Sequence, residues 1–549
     1  MMTAAMLRNI PTTPLSKVGK STRFCHVKPF LYKDIKEFGT YKTPPVRNEP
    51  NPSYSKGSAE RQKLQDAIQK LKSNLPIRVP SQISMEKDGE PNIAKQQIPS
   101  DHSSTLVEYS QTTPEQVNRA IERALKAKSA WENTPFTTRA AVFLRAAELI
   151  AGKYRHDIIA ATMLGQGKNI WQAEIDSAAE SCDFLRFNVH YASELYKQQN
   201  TLSDPGVWNR TEYRSLEGFV YAISPFNFTA IGANLTVAPA IMGNVVLWKP
   251  SDYALYSSYL LHNIFQEAGL PPDVIQLIPG EPDAITSSVL QHPKFAALHF
   301  TGSTEVFRKL YGKIGQGVAE GKYESYPRVV GETGGKNFHL VHGSADVRSA
   351  VVNTIRGAFE YQVGSPEQAD NFIGPVIHGR SWNKLNTVID KAKKDPEVEL
   401  LAGGFTDNSK GWFVSPTIFQ THNPSHELMK TEFFGPIIAV YVYPDEQYQE
   451  LLPVIDSTTQ FGLTGSVFAR DREAIEIAEK GLRHSAGNFY INSKSSGAVV
   501  GHQPFGGGRA SGTNDKATST NLLARFANIR SLKEDFVGAD TVLYPSNEV

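Results

Sequence analysis

Gly218–Pro250, GFVYAISPFNFTAIGANLTVAPAIMGNVVLWKP, is the most apolar stretch of the chain, and its reading decides the fold. A membrane-spanning helix needs about 20 such residues, so length alone permits a span. Pro225, Asn227, Asn234, Pro239 and Asn244 interrupt the stretch at short intervals, however. A strand, a turn, a helix and a second strand account for that punctuation, and a continuous helix does not. The stretch therefore predicts a buried βαβ unit and no membrane span. Similar units follow in HNIFQEAGLPPDVIQLIPG, FAALHFTGSTEVFRKLYGKI and YPRVVGETGGKNFHLV. Short apolar strands alternating with helices predict a parallel α/β sheet.

Upstream the pattern is mainly helical. SAERQKLQDAIQKLKSNL has helical spacing, and small strands follow around SDHSSTLVEYS. TPEQVNRAIERALKAKSAW opens on a capping-type Thr113 followed by Glu. RAAVFLRAAELIAGKYRHDIIAATMLGQGK and WQAEIDSAAESCDFLRFNVHYASELY each read as one long amphipathic helix. Downstream, KLNTVIDKAKKDPEVELLAGG, WFVSPTIF, ELMKTEFFGPIIAVYVY and EAIEIAEKGLRHSAGNFYINS continue the α/β alternation. The last segment, LLARFANIRSLKEDFVGADTVLYP, has strand-like patches suited to pairing with another subunit.

Composition sets the outer limits. A chain of 549 residues accommodates about three or four domain-sized units. Lys+Arg 57 against Asp+Glu 56 gives a net charge of +1, which offers nothing to a polyanion such as nucleic acid. Two cysteines, Cys25 and Cys182, supply neither a disulfide framework nor a Cys-based zinc site, and no metal site is expected. Cys182 lies among Leu185, Phe187 and Val189 and reads as a small buried hydrophobe. Residues 1–33 hold Arg8, Lys17, Lys20, Arg23, Lys28 and Lys33 with many hydroxyls, and Asp34 is the first acid. That composition predicts a mitochondrial transit peptide and hence the matrix, although a plain basic tail shares it.

A set of motifs then narrows the function: SPFNFTAIGANL, LWKPSD, FTGST, GETGGKN, FEYQ, TEFFGP and NFYINSKSSGAVVGHQPFGGGRASGTNDK. From about Tyr109 to Phe536 the chain resembles the aldehyde dehydrogenase superfamily, and within it the branch that oxidises glutamate γ-semialdehyde to glutamate in proline catabolism. The resemblance implies a variant Rossmann NAD-binding domain (34–331, with about 199–217 in an oligomerisation extension), an α/β catalytic domain (332–519) and a C-terminal oligomerisation segment (520–549). It also implies a homo-oligomer and a small-molecule substrate.

Site residues follow from the same resemblance. Asn227 is placed to donate its amide to the oxyanion formed when a nucleophile adds to an aldehyde, although an Asn here could instead cap the following helix. Lys249 matches the lysine on the cofactor's ribose hydroxyls, and Asp252 an acid that favours NAD by repelling a 2′-phosphate. Gly302 and Ser303 match the turn at the pyrophosphate. Glu332 matches the general base, with Gly334 and Gly335 leaving it mobile. Glu432 matches the nicotinamide-ribose ligand, and Phe434 the ring beside it. Gly497 and Ala498 match a backbone-amide anchor for the substrate's α-carboxylate, with Phe228 and Phe505 flanking its aliphatic part.

One element of the pattern is missing. In the family a Gly-Gln-x-Cys segment follows ETGGKN after roughly one helix and one loop, and its thiolate attacks the carbonyl. Here FEYQ, ending at Gln362, runs straight into VGSPEQADNFIGPVI, which resembles a segment from beyond the cysteine. Both sides read as family sequence, so the join implies a clean loss of about thirty residues, the size of a strand, a helix and their loops. Ser365 lies at a tempting distance from Glu332, but it belongs to the later segment, and a hydroxyl is a far weaker nucleophile than a thiol. The chain is expected to be inactive as it stands; a non-catalytic NAD-binding subunit is the alternative.

Overall fold

The structure, a computed structural model, describes residues 42–83, 91–358, 362–540 and 542–547. Residues 1–33, with Cys25, lie outside the described residues. Helix α1 (Glu180–Tyr196) and an outlying strand, Val207–Arg214, lead into the Gly218–Pro250 unit. That unit is β1 (Phe219–Ile223), α2 (Thr229–Ile241) and β2 (Val246–Lys249). Phe219, Val220, Tyr221 and Ala222 are wholly buried, and α2 is buried on all sides, which explains its unbroken apolar character. Next come β3 (Ile275–Leu277), β4 (Phe295–Thr301), α3 (Thr304–Ala319) and β5 (Arg328–Glu332).

These five strands form one parallel sheet in the order β3-β2-β1-β4-β5. The chain winds outward in one direction from β1 and then in the other from β4. The carboxyl ends of those two strands therefore flank a crevice, the place where open α/β sheets bind ligands. Gly218 lets β1 enter beside β4: at φ +127° a Cβ would lie 2.0 Å from the Lys294 carbonyl oxygen.

The second half contributes β6 (Phe338–Val341), α4 (Val347–Ala358), β7 (Val398–Ala402), β8 (Thr417–Thr421), β9 (Ile437–Val440), β10 (Thr464–Phe468) and β11 (Asn488–Ile491). These six strands form two separate sheets, β6-β10-β11 and β7-β8-β9, beside two short two-stranded ladders. Edges β6 and β9 lie close, since the Tyr443 hydroxyl donates to the Val341 carbonyl at 2.7 Å. Val341 and Val442 are 40% and 65% exposed, and β9 is half-buried throughout. Across 347–357 of α4, Ala350 alone is buried, and Val347, Val351 and Val352 are exposed.

Several local readings need correction. RAAVFLRAAELIAGKYRHDIIAATMLGQGK is two helices, Phe136–Ala151 and Arg155–Gln166, because the chain turns at Gly152. The next expected helix begins with Ile170–Ala173 and passes through a π-turn, Glu174–Ala179, before α1. Thr113 caps its helix reciprocally with Gln116, not with the adjacent Glu. The helix Thr520–Ala524 packs inward, with Leu522, Leu523 and Phe526 buried in the core that includes β1 and β2 of the five-stranded sheet. Only Asn528–Asp535 pairs with Val207–Arg214 as an outlying hairpin. Leu522 and Leu523 on that helix and Phe526 and Ala527 just after it are all buried, which holds the start of the segment in the core. Among the described residues no helix is long and apolar enough to cross a membrane.

Candidate active site

Four strand ends of the five-stranded sheet converge on the crevice. Asn227 follows β1, Lys249 ends β2, Gly302 and Ser303 follow β4, and Glu332 ends β5. The helix cap after β1 is Phe228, not Asn227, and it makes no side-chain capping bond. Among the described residues the Asn227 side chain has no hydrogen-bond partner, so its amide is free to donate.

Lys249 is 5% exposed, with Nζ 3.0 Å from the Pro250 carbonyl and 3.3 Å from Asp252 Oδ1. The acid three residues on thus pairs directly with the lysine. Ser303 caps α3, accepting from the Val306 amide, and the Gly302 amide donates to the Glu332 carbonyl at 3.1 Å. This geometry presents the N-terminus of a 16-residue helix to the crevice.

Glu332 Oε2 accepts from the Gly507 amide at 2.9 Å. Burial raises its carboxyl to about 8, against weaker lowering by the Gly507 amide and Lys516. Such a value suits a general base working near neutrality. Gly334 and Gly335 serve a tighter purpose than mobility. The Gly335 amide donates to Glu432 Oε1 at 3.0 Å, and a Cβ on Gly334 would lie 2.1 Å from Glu432 Oε2. The turn is therefore moulded around the Glu432 carboxylate. Phe434, at φ +58° and 52% exposed, stands edge-on to Phe226 with ring centres 5.7 Å apart.

Opposite, Gly497 and Ala498 sit on a loop, with Gly497 at φ +81°. Among the described residues neither amide has an acceptor. Phe505 is fixed by paired backbone bonds to Ala517. The Phe228 ring lies 4.0 Å beneath Lys168 Nζ.

Sequence reasoning missed three groups. Lys516 Nζ donates to the Gly487 and Gly506 carbonyls at 2.7 and 2.9 Å and faces Glu332. Lys336 is pushed down to about 8 by burial beside Glu432. Lys168 pairs with buried Asp176 on the π-turn at 2.9 Å. Lys516 and Lys336 lay inside quoted motifs, and only their burial distinguishes them from surface lysines.

No thiol joins this constellation among the described residues. Cys182 is buried in α1, its thiol donating to the Ala147 carbonyl at 3.3 Å, and burial pushes that thiol far up. Ser365 sits in a loop of its own, its carbonyl accepting from the Asn371 amide at 2.9 Å. Around that loop Asn169 donates to the Phe372 carbonyl and Lys72 pairs with Glu367.

The Glu332 carboxyl carries a pH signature. Its folded value lies above its unfolded value of 4.5, so its contribution to stability is whole below about pH 4.5 and is lost as pH rises through about 8. Glu332→Gln removes that titration. The variant is expected to match the parent near pH 5 and to exceed it by on the order of 2 kcal/mol at pH 9, read by urea unfolding. Equal stability at both pH values would refute the buried, neutral carboxyl.

Comparison with known proteins identifies the family. The aldehyde dehydrogenase family profile matches residues 87–362 and again 360–532. The chain belongs to that family, whose α/β fold it has. More particular names come from its relatives. A protein of Emericella nidulans called "Delta-1-pyrroline-5-carboxylate dehydrogenase, mitochondrial" is 56% identical, over 93% of this chain and 95% of its own. A human protein of the same name is 43% identical over 89% and 92%. Among solved structures, the Delta-pyrroline-5-carboxylate dehydrogenase from Mycobacterium tuberculosis bound with NAD has a TM-score of 0.88 at 42% identity. That match covers 93% of this chain and 100% of the other. The Emericella alignment runs over 546 positions, whereas 93% of 549 residues is about 511, so about 35 positions face no residue here.

Proposed function

We propose that this chain derives from a mitochondrial, NAD-dependent L-glutamate γ-semialdehyde dehydrogenase of proline catabolism, and that it lacks the segment carrying the nucleophile. The observation that carries this reading is the junction at Gln362, where the family profile stops and restarts within three residues. The unmatched alignment positions and the split catalytic sheet support it. The chain is what remains when one coding block is omitted, as a mis-spliced transcript or a mistaken intron would omit it.

The donor set fits the cofactor. Lys249, with a buried ammonium and few protein acceptors, suits a ribose diol; Asp252 beside it disfavours a 2′-phosphate. Gly302, Ser303 and the N-terminus of α3 suit the pyrophosphate, and Glu432 with Phe434 the far end of the dinucleotide. NAD, when bound, supplies the hydride acceptor.

Once a nucleophile is supplied, the chain's own residues do the rest. The Gly497 and Ala498 amides hold the substrate's α-carboxylate, and Phe228 and Phe505 flank its methylenes. Asn227 donates to the carbonyl oxygen as charge develops there. Glu332 takes a proton from water in the hydrolytic step. Without a thiolate, addition to the aldehyde does not occur. The exposed Trp208, Ile529 and Phe536 of the outlying hairpin supply an oligomerisation surface.

A non-catalytic subunit is the second reading, favoured by the intact five-stranded sheet. Tryptic mass spectrometry of the native protein separates the two. Peptides with a Gly-Gln-x-Cys segment after FEYQ are the expected result. Detection of the peptide Gly357–Arg380 in their place would give the second reading precedence.

A further inference from the structure

The loop bearing Gly497 and Ala498 has few side chains with which to hold itself, and a carboxylate gains most from amides whose directions are fixed beforehand. On one side the loop closes internally, the Val499 amide donating to Gln503 Oε1 at 3.0 Å. On the other it is held by a residue about 450 positions away. Asn48 Nδ2 donates at 2.8 Å to the Val500 carbonyl and at 2.8 Å to Asp183 Oδ2 on α1. Asn48 Oδ1 lies 3.2 Å from His502 Nε2, so one amide group joins three partners.

The clasp has firm backing. The Glu49 amide donates to Asp183 Oδ1 at 2.7 Å, and Asp183 is 6% exposed. The Glu49 carboxylate binds Arg155 at 2.6 Å and Arg186 at 2.7 Å. Arg155 also donates to the Pro50 carbonyl at 2.7 Å and pairs with buried Glu174. Val46 packs with Phe184, Phe187 and Val500, and a Cβ on Gly501 would lie 2.2 Å from the Phe187 ring. The arm 46–50 is thus wedged between α1 and the loop, pinned on its helix side by buried charge.

We propose that Asn48 is a positioning residue for substrate recognition: it fixes the loop whose Gly497 and Ala498 amides receive the α-carboxylate. This rests on the carboxylate-anchor reading above. The group acts through backbone orientation and does not touch the substrate. Deleting its amide frees one side of the loop while leaving the cofactor crevice intact. The effect should therefore fall on the amino-acid ligand and spare the dinucleotide.

The test measures equilibrium binding of L-glutamate and of NAD to the unaltered chain, Asn48→Ala and His502→Ala, with hydrogen exchange over 497–503. Asn48→Ala is expected to weaken glutamate about 10- to 100-fold, the scale of losing hydrogen bonds that include one to a charged group. NAD affinity is expected to stay within about twofold, and the loop amides to exchange at least about tenfold faster. His502→Ala, which removes only the outer partner, should weaken glutamate no more than about threefold. If Asn48→Ala binds glutamate as the unaltered chain does, or if glutamate and NAD weaken together, the positioning role is overturned and the functional reading stands. If the unaltered chain binds no glutamate, both fall.

Discussion

Given glutamate γ-semialdehyde and NAD, the chain as it stands is expected to form no NADH above background. Restoring a Gly-Gln-x-Cys segment and its following strand and helix between Gln362 and Val363 should raise turnover by on the order of 10⁶-fold. That is the scale on which a serine hydrolase loses turnover with its nucleophile. The argument is chemical. Hydride leaves readily from a tetrahedral thiohemiacetal, and a free aldehyde does not form one without a thiolate. Cys182 cannot serve, because its sulfur is wholly buried in α1. Ser365 is a poor substitute, because a hydroxyl is a far weaker nucleophile than a thiol and its hydrogen bonds to Glu367 and Asn371 stay within its own loop. The roles proposed for Asn227 and Glu332, holding an oxyanion and moving a proton, make no covalent bond to carbon. Steady NADH formation by the unaltered chain would sink this account.

The second large effect concerns stability. The half that holds β6 to β11 should open well before the half built on the five-stranded sheet. Val347, Val351 and Val352 lie exposed on α4, and Val341 and Val442 lie at the two unpaired edges. Fully burying a valine or similar side chain is worth about 1.5–3 kcal/mol, so leaving several exposed forfeits much of a domain's usual 5–15 kcal/mol. The five-stranded sheet has no such loss, with Val220, Ala222, Leu247 and Trp248 at its centre wholly buried. In native-state hydrogen exchange, the amides of Phe338–Val341 and Ile437–Val440 are expected to exchange at least about 100-fold faster than those of Phe219–Ile223. Mild trypsin should cut first at Arg348 and Arg356 on α4. Uniform protection across both halves would show that the split sheet has healed.

The same unpaired edges are an association hazard, since β6 and β9 each present free backbone groups to any extended segment. Raising the concentration of the chain is therefore unfavourable for measuring its binding, and dilute conditions suit the assays above.

Much of this protein was legible in its sequence because the signals are local. The period of apolar residues in Gly218–Pro250 gave strand, helix and strand. The Pro and Asn interruptions excluded a span. The motif run ending in GTNDK marked the family and its candidate residues, and the abrupt passage from FEYQ to VGSPE is where the proposed loss falls. Each of these depends on neighbours a few positions apart.

Tertiary structure decided what depends on residues brought together from a distance. Burial, not sequence, raises the Glu332 carboxyl to about 8 and lowers Lys336 to about 8. Gly334 is required because Glu432, nearly a hundred positions away, places a carboxylate against it. The turn at Gly152 and the π-turn at Glu174 follow from packing that overrides a continuous helical pattern. Whether the six catalytic strands make one sheet or two depends on a partner strand, which no local pattern records. Asn48 reads as an unremarked residue in a proline-rich arm, and only the fold sets its amide between Asp183 and Val500. Hydrogen-bond partners and dielectric are properties of the assembled interior, which is why they emerge only there.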